Sequence, residues 1–86
     1  MTGKVIEINR KNNRVIADMG DDGFTIFDTI GYADIDVGDI ISGNLEYHGE
    51  ETIKNFSKSD KRIFVYIVDF HSTILNAKNL LKLKSS

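Results

Sequence analysis

The sequence predicts a mainly β domain: a small barrel of five strands over residues 3–56, extended by one extra strand and one C-terminal helix. Three observations carry this. Short segments rich in β-branched residues recur at close spacing. Turn chemistry built on glycine, asparagine and aspartate separates them. A helical period emerges only after residue 72. With 86 residues the chain forms a single domain, 1–86, in which most apolar side chains must sit inside. Apolar residues at 41% and charged residues at 28% give a globular balance, which argues against disorder.

Residues 3–9 (GKVIEIN) read as the first strand, with Ile6 and Ile8 on one side. Arg10, Lys11, Asn12 and Asn13 form a turn, because asparagine tolerates left-handed backbone. Residues 14–19 are a second strand, with Val15, Ala17 and Met19 on one face. Gly20-Asp21-Asp22-Gly23 is a tight turn whose Asp-Gly supplies positive φ. In the third strand, 24–30, Phe24, Ile26 and Ile30 align and Asp28 breaks their face. A loop over 31–39 leads to a fourth strand, 40–47, with Ile41, Leu45 and Tyr47 inward and Gly43 permitting a bend. A turn at His48-Gly49-Glu50-Glu51 precedes a short fifth strand, 52–56, where Phe56 closes the core. A basic loop covers 57–62.

Residues 63–70 (IFVYIVDF) are apolar on both faces, so this strand needs cover on both sides or a second chain against it. Ser72 is the expected N-cap of a helix near 72–83, with Ile74, Ala77, Leu80 and Leu81 as its apolar stripe. Lys82 and Lys84 suit the C-terminal end of its dipole. The helix is expected to pack on the 63–70 strand, or on its copy in a second chain.

The order of these segments resembles a cold-shock domain, an OB-fold barrel, across residues 3–56. Gly3-Lys4-Val5, running to Asn9, is similar to the family's GKVKWFN. Lys11 to Ile16 stands at its KGFGFI, Asp22-Gly23 at its glycine-rich turn, Val37-Gly38-Asp39-Ile40 at its lead into strand four, and Asn55-Phe56 at its closing Asn-Val. The chain is also similar to small uncharacterised bacterial proteins of this pattern. The resemblance implies an OB-like barrel and single-strand binding by stacked aromatics. Yet the family's Trp is replaced by Glu7, both aromatics of KGFGFI are absent, and Ile26 and Asp28 stand for its Phe and His. Each lost platform removes ~1–3 kcal/mol of stacking, and carboxylates repel phosphate, so nucleic-acid binding is expected to be weak.

Charge is unevenly placed. From residue 15 to 53 there are ten acidic residues and no lysine or arginine, between two basic flanks, for a net charge of −2. Arg10, Lys11 and Arg14, with Lys54, Lys58 and Arg62, are the candidate phosphate-contacting residues. Tyr32, Phe64, Tyr66, Ile74 and Leu81 are the candidate protein interface, and Tyr32 serves equally well as a lid over the barrel's end. The expected partner is a protein or a second copy of the chain, with weak single-stranded nucleic acid as the alternative.

No enzyme is expected. There is no cysteine nucleophile, no nucleophile elbow and no P-loop. Asp18, Asp21 and Asp22 lack the alternating ligands and distal Glu of a calcium loop and read as a turn. His48 and His71 have no second His or Cys at ligand spacing, so neither a metal site nor a cofactor is expected. The chain shows no secretory pattern and no bilayer-length apolar run, and it lacks cysteine. A cytoplasmic protein without membrane contact is therefore expected.

Overall fold

The computed structural model describes residues 1–83. Six strands, β1 (Thr2–Asn9), β2 (Arg14–Asp18), β3 (Phe24–Thr29), β4 (Ile40–Ser42), β5 (Gly49–Asn55) and β6 (Lys61–Ser72), precede a helix, α1 (Ile74–Lys82). Single 3-10 turns lie at Gly20–Asp22 and Phe56–Lys58. The strands close into one antiparallel barrel in the order β1-β2-β3-β6-β5-β4, with β4 returning to β1. Every strand has a neighbour on both sides, but the seam at β4 is short: β4 pairs with β5 only at Ile41↔Asn55 and Ser42↔Lys54 and with β1 only over Thr2–Lys4.

The strand expected to extend a finished barrel is instead one of its staves. β6 is the longest strand and lies between β3 and β5, in register with Phe27↔Ile67 on one side and Ile53↔Ile63 on the other. The expected fourth strand is short, because Gly43 turns away after Ser42. A Cβ at Gly43 would lie 2.8 Å from Ile53 Cγ2, so only glycine lets the chain pass this close to β5.

Two apolar layers result. Inside the barrel lie Val5, Val15, Ala17, Phe27, Ile41, Leu45, Ile53, Ile63, Val65 and Ile67, all essentially without solvent exposure. Outside, Ile16 and Ile26 are buried under Ala77 and Leu81 of α1, flanked by Ile6, Phe24, Val68 and Leu80. Ile6 and Ile8 do not share a side. The β1–β2 register shifts between Val5 and Glu7, and this bulge sends Ile6 to the helix layer and Ile8 to the barrel. Tyr47 and Phe56, expected inside, are both about half exposed.

α1 is capped by Thr73, whose hydroxyl accepts from the Asn76 N–H at 3.1 Å. Ser72, the expected cap, instead donates to Asp69 Oδ2 at 2.6 Å. Lys84 lies outside the described residues. The helix packs on β3 and β2 and, less closely, on β1; it meets β6 only towards that strand's C-terminal end, at Val68 and through Asn76, which donates to Asp69 and Ser72, and leaves Phe64 and Tyr66 uncovered. No helix among the described residues is long and apolar enough to cross a membrane.

Candidate docking face

The outer surface of the barrel divides into a covered half and an uncovered half. The covered half is the β1–β2–β3 face, where the cold-shock resemblance places stacking residues. Ile26 is wholly buried there, Asp28 is bound to Arg14, and Glu7 lies 3.9 Å from Lys78 of α1. A nucleic-acid strand cannot reach this face while the helix lies on it.

Arg14 is a structural residue. Its side chain is almost fully buried. Its Nε and Nη2 donate to the two Asp28 oxygens at 2.6 and 3.0 Å, and Nη1 donates to the Leu80 carbonyl at 2.9 Å. Asp28 holds the guanidinium more firmly charged than usual, against the opposing effect of burial. The pair fastens the C-terminal turn of α1 to β2 and β3, and Asn9 adds a second clasp, donating to the Leu81 carbonyl at 2.8 Å. Arg14 is therefore unavailable to phosphate.

Two more candidate cations are neutralised by the acidic loop between β3 and β4. Arg10 donates to Asp36 and to the Ile35 carbonyl, each at 3.0 Å. Lys58 lies 3.0 Å from Asp36 and donates to Asp39 at 2.8 Å. Asp39 is buried, which pushes its carboxyl up. Hydrogen bonds from Asn55, Lys58 and the Asp36 N–H outweigh this and hold it below the ordinary carboxylate range. Lys58 is in turn raised by its bonds to Asp39 and Asp36. Lys61 joins the same network through Asp34 at 3.2 Å. The acidic middle and basic flanks of the sequence thus meet around one loop.

Lys54 and Arg62 differ. They stand opposite each other on β5 and β6, both exposed, and their side chains make no hydrogen bond or ion pair among the described residues. Like charges directly opposite on a sheet are unfavourable. The next outward pair along the ladder is Thr52↔Phe64, and the next is Glu50↔Tyr66. Phe64 and Tyr66 are 58% and 49% exposed, and Ile30, whose N–H donates to the Phe64 carbonyl, is 43% exposed beside them. Ile30, Phe64, Glu50 and Thr52 line a shallow concavity here. Glu50, too, has no side-chain partner among the described residues.

The remaining candidates scatter. Tyr32 is 90% exposed and projects from the rim of a separate cleft near Ile8 and Ala33, so it is not a lid. Ile74 is partly exposed at the start of α1. Leu81 is buried against Ile16 and Ile26 and cannot be an interface residue of the folded chain. Lys11 is exposed in the β1–β2 turn.

Thr52, Glu50 and Ile30 went unmarked in the sequence. The signal for them was the strict alternation within 63–67, which puts Phe64 and Tyr66 opposite to the core-facing Ile63, Val65 and Ile67. Elsewhere, His71 lies against Glu46, with Asp22 near enough for all three ligand atoms to fall within 4.8 Å. Asp22 and His71 are exposed, and the Glu46–His71 pairing accounts for the contact. No family model, curated protein or solved structure matches this chain.

Proposed function

We propose that this chain is a non-enzymatic binding module that docks a protein partner through the outer face of β5 and β6 and the adjoining Ile30. One observation carries the reading: Phe64, Tyr66 and Ile30 form a contiguous exposed apolar surface on a barrel whose other apolar outer face is closed by its own helix. Aromatic side chains at the centre of a face with charges at its rim are what protein interfaces use. β5 and β6 are hydrogen-bonded to each other along seven consecutive pairs, so this face offers a partner its side chains rather than its backbone. The resemblance of residues 3–56 to a cold-shock domain enters only as likeness of an OB-like barrel. The lack of cysteine favours a reducing compartment, and the cytoplasm is the location we propose.

A second reading rests on its own observation. Lys54 and Arg62 lie one ladder step from Phe64, so an unpaired cationic pair borders exposed rings, an arrangement that suits single-stranded nucleic acid. Glu50 beside Tyr66 opposes it. Capture from native lysate, with and without nuclease, by the wild type and by Phe64→Ser separates the readings. Nuclease-resistant capture lost in Phe64→Ser supports protein docking. Nuclease-sensitive capture weakened in Phe64→Ser supports the second reading, and capture that Phe64→Ser leaves unchanged refutes both.

A further inference from the structure

The charges around this face make it complementary to itself. On β5, Lys54 and Glu50 stand at equal distances on either side of Thr52, about 7 Å each way along the strand. On β6, Arg62 and Tyr66 stand likewise on either side of Phe64. The Thr52–Phe64 pair is the midpoint of a surface with two cations at one end and a carboxylate and a phenol ring at the other.

We infer that the occupant of this face is a second copy of the chain, bound about a two-fold axis that crosses the strands at the level of Thr52 and Phe64. This rests on the docking reading above and names its partner. Such an axis lays β5 over β5 and β6 over β6 with their directions reversed. Lys54 of one copy then faces Glu50 of the other, Arg62 lies over the ring of Tyr66 as a cation–π contact, and Phe64 packs on Phe64. Every unpartnered charge in the three ladder pairs acquires a partner, and the Lys54–Glu50 and Arg62–Tyr66 contacts each occur twice. The alternative two-fold, with its axis along the strands, brings the Lys54–Arg62 end of one copy against the same end of the other and is disfavoured by repulsion. An unrelated partner has no reason to require charges disposed evenly about Thr52.

The test is sedimentation equilibrium of the full chain with a charge swap. One variant carries Lys54→Glu and Arg62→Glu, and the other carries Glu50→Lys. All three positions are exposed, so each variant should keep the wild-type circular dichroism and melting curve. The wild type should dimerise, with affinity falling as salt rises. Each variant alone should self-associate about a hundredfold more weakly, because like charges now meet twice. An equimolar mixture of the two should form a heterodimer, since both contacts between positions 54 and 50 again join opposite charges, one as in the wild type and one reversed, and one of the two Arg62–Tyr66 contacts is kept. A monomeric wild type overturns the inference, as does a dimer unaffected by either variant. If the wild type is monomeric but Phe64→Ser still abolishes capture of another protein, only the second copy is excluded and the docking face stands. If neither self-association nor Phe64-dependent capture occurs, the docking reading fails with it.

Discussion

Arg14 and Asp28 face each other across β2 and β3 in a two-pronged ion pair, and the same guanidinium holds the last turn of α1 through the Leu80 carbonyl. One side chain thus joins the barrel to the helix that covers it. Arg14→Ala leaves a largely buried carboxylate without its cation and a helix carbonyl without its donor. The expected loss is about 3 kcal/mol of unfolding free energy, read by urea denaturation. Unchanged stability would mean that the clasp is dispensable.

Leu81 lies under the helix against Ile16 and Ile26. Leu81→Asp places a carboxylate in that layer and should destabilise the monomer by more than about 3 kcal/mol, lifting α1 from the barrel. Thermal melting together with sedimentation separates this from an interface effect. A dissociated but fully stable chain would contradict the placement of Leu81.

The Asp39–Lys58 contact sets an acid limit. Asp39 is held below its ordinary value of 3.8, so its contribution is complete above that pH and is lost as pH falls through the lower, folded value. Lys58, raised above 10.5, contributes fully below that pH and loses its effect as pH rises through the folded value. Asp39→Asn should therefore lower Tm at pH 7 and flatten the fall of Tm in acid. A parallel downward shift at every pH would show that Asp39 acts through packing alone.

Gly23 closes the turn between β2 and β3 with φ of +81°, and a Cβ there would meet the Ser72 carbonyl oxygen at 2.9 Å. Gly23→Ala combines backbone strain with a clash against β6 and should cost about 1–3 kcal/mol. Gly20, also at positive φ but with open space around it, should cost less when changed to alanine. Equal losses at both positions would count against the clash.

Much of the fold was legible in the sequence because its signals are local. The Gly20–Gly23 turn follows from Asp-Gly chemistry, and the helix follows from the spacing of Ala77 and Leu81. What was not legible depends on contacts distant in sequence. Nothing local shows that β6 inserts between β3 and β5, or that the β1 bulge parts Ile6 from Ile8. The candidate cations show the same limit. Arg10, Arg14 and Lys58 look like Lys54 and Arg62 in the chain, and only folding brings Asp36, Asp28 and Asp39 against the first three. The apolar character of both faces of 63–70 led to the expectation that the helix would cover the outer one, whereas Phe64 and Tyr66 are exposed and the helix lies mainly on β2 and β3.

The most direct measurement is a dilution series followed by backbone amide NMR. Self-docking through the outer face of β5 and β6 predicts concentration-dependent shifts centred on Ile30, Glu50 to Lys54 and Arg62 to Tyr66, with α1 and the Tyr32 loop unmoved. Shifts centred on α1 or on Tyr32, or no shifts at any concentration, would contradict the account.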